Sequence, residues 1–163
     1  MKLRIGTDID EVLSDFIGAY RQRFGEQPSH IITKHCERVL SHDRDFWVNL
    51  KLLRRPDFDF TLYCTKRVNP KSYTKEFIRK NNLPNAPIYQ QWCQIGPKSR
   101  LIKGRVDVFI DDSVRNYEEL NSHGVPCLLM DTPDNKNIDT PLRIYSLNYD
   151  EIERVYNKNF KTA

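Results

Sequence analysis

The chain has 163 residues, 39% hydrophobic and 29% charged, with a net charge of +4. That length accommodates one domain with a real core and not two full ones, and the composition is that of a soluble globular protein without repeats or low-complexity tracts. No apolar run approaches the roughly 20 residues that cross a bilayer, and no apolar signal core precedes the first strand, so the expectation is a cytoplasmic protein with no membrane partner. Cys36, Cys64, Cys93 and Cys127 are scattered without a CxxC pair, as reduced thiols would be.

Residues 3–8 read as a buried strand that ends in Asp8 and Asp10, two acids spaced i, i+2. Residues 12–24 have helical spacing of Val12, Phe16, Ala19, Tyr20 and Phe24 and stop at Gly25. Residues 26–56 are polar and too long for a loop, which predicts a small helical insertion with helices around 31–40 and 43–53. A second strand covers 60–65, a helix 70–82, a third strand 87–91 and a short helix 98–103 halted by Gly104. The fourth strand, 106–110, runs into Asp111-Asp112; a helix over 115–122, a strand over 126–130, a further strand near 143–145 and a last helix over 149–157 follow. Strands alternating with helices predict an α/β fold, a Rossmann-like parallel sheet of about five strands with helices on both faces.

Charge is unevenly spread. Residues 66–105 hold ten Lys or Arg against one acid, Glu76, whereas 106–163 hold six against eleven. Solvated helix faces and an anion-attracting face both account for that surplus. His30, His35, Cys36 and His42 are crowded but lack the paired spacing of a zinc site, and read as surface or capping residues. Trp92 and Cys93 read as core or cap contacts. The stretch from Phe46 and Trp47 to Arg54 and Arg55 reads either as a helix packed on the core or as a substrate-pocket wall beside the two arginines.

Ligands in open α/β sheets bind beyond the carboxyl ends of the strands. Two acid clusters at such ends, about a hundred residues apart, therefore predict one hard-cation site. Asp8-Ile-Asp10-Glu-Val-Leu13, a strand ending in Thr65, Lys98 at the start of a helix, and Asp111-Asp112 together resemble the four motifs of the haloacid dehalogenase superfamily of phosphotransferases, in its order. Each motif is weak alone, and the four at strand ends and a helix start are specific. The likeness covers residues 5–130; the stretches 8–16, 46–50 and 109–113 are similar to its 5'(3')-deoxyribonucleotidase branch, although the cap sequence departs from the larger caps of that branch.

The resemblance implies an Mg²⁺-dependent phosphomonoester hydrolase, with a helical cap at about 15–56. Asp8 would be the nucleophile that forms an aspartyl-phosphate. Asp10 would be the acid that protonates the leaving oxygen and the base that activates water. Asp8, the Asp10 backbone carbonyl, Asp111 and, directly or through water, Asp112 would hold the metal. Thr65, Lys66 and Lys98 would contact the phosphate, with Lys103 the rival to Lys98. The implied partner is a small phosphorylated substrate, favoured as a (deoxy)nucleoside monophosphate; a polynucleotide end and a non-catalytic binding protein are the alternatives.

Overall fold

A computed structural model describes residues 2–91 and 96–161. Six parallel strands form one sheet: β1 (Ile5–Thr7), β2 (Leu62–Lys66), β3 (Ile88–Gln91), β4 (Val108–Asp111), β5 (Cys127–Met130) and β6 (Arg143–Ile144), in the order β3-β2-β1-β4-β5-β6. This is a Rossmann-like arrangement in which the strand order reverses beside β1. The helices are α1 (Phe16–Phe24), α2 (Ser29–His35), α3 (Arg44–Val48), α4 (Lys71–Lys80), α5 (Ser99–Ile102), α6 (Val114–Ser122) and α7 (Tyr149–Phe160). None is long and apolar enough to cross a membrane.

Alternation along the strands divides the core between the two sheet faces. Tyr63, Val108, Ile110, Leu128 and Met130 join one apolar cluster with Tyr20 and Ile152, while Leu62, Cys64, Phe109 and Cys127 join another with Ile102 and Leu120. Gly6 lies between layers too tight for a side chain, since a Cβ there would stand 2.9 Å from both Phe109 and Val106.

Three elements differ from the sequence expectation. The first helix begins at Phe16, not at 12, because Val12 and Leu13 are fully buried in a turn instead. Leu13 and Ser14 both donate backbone N–H groups to Ile9 O, and Asp15 caps the helix by accepting from Gly18 N. The helix expected over 43–53 is only α3. Asp43 caps its start by accepting from Phe46 N, and beyond Asn49 the chain turns extended. There Lys51 O accepts from Asp15 N, and Leu53 N donates to Leu13 O, so the return segment satisfies the turn after β1 rather than continuing a helix. The helix expected over 31–40 starts at Ser29 and widens into a π-helical turn at Cys36–Leu40. Leu40 and Trp47 of the insertion share the apolar cluster of the strands.

Candidate active site

The register of the central strands explains why distant acids meet. Thr7 pairs with Ile110, so the next residues, Asp8 and Asp111, emerge side by side at the carboxyl edge, where Asp8 N donates to Ile110 O at 2.9 Å. This is where the strand order reverses, the place such sheets bind ligands. The loop after β1 carries Asp8 and Asp10 where a dinucleotide fold carries glycines, so a bare pyrophosphate would meet like charge there.

Carboxylate oxygens of Asp8, Asp111 and Asp112 all lie within 4.8 Å of one another. Lys98, with no exposed surface, bridges two of them, its Nζ 2.7 Å from Asp8 Oδ2 and 2.7 Å from Asp111 Oδ2. Burial opposes the Lys98 charge, but Asp111 and Asp8 more than offset it and raise its pKa above the ordinary lysine range. Burial raises Asp8 to about 6, with Lys98 opposing the rise and Asp111 and Asp10 adding to it. Lys98 occupies the N-cap position of α5, from which its side chain reaches the site. Lys103, at the other end of α5, is exposed.

The remaining contacts orient these acids. Asp8 Oδ1 accepts from Ile9 N at 2.7 Å, and Asp111 Oδ1 accepts from Ser113 N at 3.0 Å and Asn116 Nδ2 at 3.3 Å. Ser113, not Asp112, caps α6. That leaves the Asp112 carboxylate with no donor among the described residues, while Asn135 Nδ2 holds the Asp112 carbonyl at 2.8 Å. Burial, then Asp111 and Asp8, push the Asp112 pKa well above the usual carboxylate range. The three crowded carboxylates form an all-oxygen set that fits a hard cation such as Mg²⁺.

Asp10 is held apart from that cluster. The Arg67 guanidinium, 2% exposed, grips it bidentately, with Nε 3.0 Å from Oδ2 and Nη2 2.6 Å from Oδ1, and Ser14 Oγ donates to Oδ1 at 2.9 Å. The same guanidinium lies 5.1 Å from the Trp47 ring and 5.7 Å from the Phe77 ring. Sequence reasoning missed Arg67 because it counted the residue in the surface surplus of 66–105. Its place just after the strand that ends in Thr65 was the available signal.

The cavity above these groups has a volume of about 410 Å³, within the roughly 300–1,000 Å³ of small-molecule sites. Thr65 and Lys66 line it from the sheet edge. Thr65 Oγ1 is buried with no hydrogen-bond partner among the described residues, and burial lowers the pKa of Lys66, with Lys98 and Arg115 adding to the effect. Phe16 and Ile17 of α1, with Ile32 and Cys36 of the insertion, line it from the other side together with Trp47.

The aromatic pair therefore divides. Trp47 stacks on Phe16 at 5.6 Å and lines the cavity, whereas Phe46 packs edge-on to both rings and is outside the lining. Arg54 is also outside it, donating to the carbonyls of Glu11, Val12 and Asp131, and Arg55 donates to Asn82 O. Neither arginine lines this cavity.

Glu11 was not foreseen. It has φ 61°, a left-handed conformation costly for a side-chain-bearing residue, and its carboxylate lines the cavity while accepting from Ile17 N at 2.7 Å. A carboxylate at the start of α1 also meets the positive end of its dipole. Trp92 and Cys93 lie outside the described residues. His35 Nδ1 meets Tyr20 Oη at 2.6 Å, and no metal cluster among the described residues involves His30, His35, Cys36 or His42. The chain matches no family model, and no curated protein is similar to it.

Proposed function

We propose that the protein is a phosphomonoester hydrolase of the haloacid dehalogenase type, acting on (deoxy)nucleoside monophosphates through an aspartyl-phosphate on Asp8. The observation that carries this reading is the cluster of Asp8, Asp111 and Asp112 bridged by buried Lys98, next to a buried Thr65 hydroxyl that has no partner among the described residues. Buried polar atoms without partners are rare, and Thr65 is one of the residues that line the cavity beside the carboxylates. A phosphate oxygen satisfies it.

In this reading the phosphoryl group rests against Thr65 Oγ1 and the positive charge of Lys66 and Lys98. The Asp8 carboxylate, oriented by Ile9 N and Lys98, attacks phosphorus as the ester oxygen departs. Asp10, protonated when the ester binds, gives that oxygen its proton, then takes one from the water that cleaves the aspartyl-phosphate, releasing inorganic phosphate and restoring the Asp8 carboxylate and the Asp10 carboxylic acid. Arg67 and Ser14 fix the direction in which the Asp10 carboxyl faces. Mg²⁺ would be held by Asp8, the Asp10 carbonyl, Asp111 and Asp112, and supplies charge neutralisation for the phosphoryl oxygens. Phe16, Ile17 and Ile32 offer the base an apolar wall.

The test is phosphate release from 5'- and 3'-nucleotides, sugar phosphates and an end-phosphorylated oligonucleotide, each with Mg²⁺ and with EDTA. Release that needs the metal and is stronger with nucleotides than with sugar phosphates is the expected result. A folded protein that binds Mg²⁺ and hydrolyses none of them would favour a binding protein instead.

A further inference from the structure

Only part of the basic surplus of residues 66–105 is used by the site. Arg67 and Lys98 are buried in it, but Lys71, Lys75 and Arg79 are exposed and make no ion pair or hydrogen bond through their side chains among the described residues. They recur every fourth residue on α4, so their charges advance by roughly 6 Å per step along one helix face. That face forms one wall of a groove of about 1110 Å³ whose other wall is the α4–β3 connection and the first half of β3, an edge strand. The lining includes no acid. Glu76, the acid of α4, is drawn away to Arg44 of the insertion.

Between the groove and the site lies a depression that adjoins both and is lined also by Glu37. Its volume is about 480 Å³, and it shares Arg67 and Val68 with the substrate cavity and Lys71 with the groove. Asn69 also lines this depression, and its Oδ1 is buried without a donor among the described residues, an acceptor of the kind a base N–H or a sugar hydroxyl pairs with. Tyr89, whose ring lies 5.2 Å from the Arg105 guanidinium, contributes an aromatic surface to the groove.

We propose that this groove carries the backbone of a single-stranded polynucleotide whose terminal phosphate enters the cavity, making a strand end a further substrate beside the mononucleotides. The inference rests on the phosphomonoesterase reading and deepens it. Evenly spaced cations with an aromatic neighbour match a regular polyanion with flat bases better than an acidic peptide, whose charges are irregular and carry no stacking faces.

The experiment measures the affinity of the full-length Asp8→Asn protein for 5'- and 3'-phosphorylated oligo(dT) and oligo(rU). Lengths of one, four and eight nucleotides are compared across a salt series. Affinity should rise at least tenfold from one to eight nucleotides. The logarithmic salt slope should be about −2 for the longest strand, because three phosphate contacts contribute roughly −0.7 each on single strands. The dT and rU arms report which sugar is preferred. The triple variant Lys71→Gln, Lys75→Gln, Arg79→Gln should flatten both dependences in the Asp8→Asn background. In the otherwise wild-type protein it should leave p-nitrophenyl phosphate hydrolysis unchanged. Equal affinity for one and eight nucleotides overturns the proposal, as does a triple variant that binds like its parent or an acidic peptide of equal charge that binds as tightly. Because binding is read without turnover, a protein that hydrolyses nothing yet binds by length refutes the phosphatase reading alone. Turnover of mononucleotides with length-independent binding refutes the groove alone.

Discussion

The site has two buried cations, and they are built differently. On the floor, Lys98 is a point charge set between Asp8 and Asp111, at 2.7 Å from each, on adjacent strand edges. On the wall, Arg67 is a planar fork that grips one carboxylate, Asp10, and lies close to the rings of Trp47 from the insertion and Phe77 from α4. A lysine suits the floor, where two acids share one charge, and an arginine suits the wall, where one acid must face one way. The difference teaches that the floor depends on strand register and on the start of α5. The orientation of Asp10 depends also on the insertion that lines the cavity.

The comparison can be broken first at its strongest contact. Lys98→Met leaves Asp8 and Asp111 buried without their counter-charge and should cost roughly 3–5 kcal/mol in urea unfolding, part of it recovered by added Mg²⁺. A loss below about 1 kcal/mol would show that the acids are not held as ions. Next, Arg67→Lys keeps the charge but loses the fork. It should lower kcat about 10²-fold for alkyl phosphates, the scale of one general acid, and far less for p-nitrophenyl phosphate, whose leaving group needs no proton. An equal loss on both substrates would mean that Arg67 supports the fold and not the direction of Asp10.

Packing beneath the floor is tested by Gly6→Ala, whose new methyl would meet Phe109, Val106 and Leu62. A cost of about 1–3 kcal/mol is expected from thermal unfolding, and an unchanged midpoint would show a slack sheet. The smallest effect lies in the wall. Phe46 N–H and then Arg23 hold the Asp43 carboxyl below the usual range. A depressed folded pKa means that its stabilisation is complete above the unfolded carboxylate value and fades as pH falls through the depressed one. Asp43→Ala should therefore cost about 1 kcal/mol at neutral pH and progressively less in acid. A gap that persists undiminished in strong acid would contradict this assignment.

Much of the floor was legible in the sequence because it is local. Asp8, Thr65 and Asp111 each end an apolar β-prone run, and parallel pairing alone brings such ends together. The π-helical turn, the short α3 and the turn at Glu11 were not legible, because tertiary contacts decide them. Leu13 and Val12 are buried by the return of residues 50–53, a partner that no local spacing announces. Arg67 was hidden for a related reason. Its burial needs Asp10, Trp47 and Phe77 at once, and each comes from a different part of the chain. A side chain that looks solvated by composition is here among the least exposed of the molecule.

The central claim is that Asp8 carries the phosphoryl group. The measurement is acid quenching of turnover on a 5'-deoxynucleoside monophosphate labelled in its phosphate, followed by peptide mapping, for the wild-type protein and for Asp8→Asn. The account predicts label on the peptide containing Asp8, lost together with turnover in the variant. Phosphate release with no labelled protein at any quench time, or Asp8→Asn turnover within about tenfold of wild type, a loss of only ~1.4 kcal/mol in transition-state stabilisation, would contradict it.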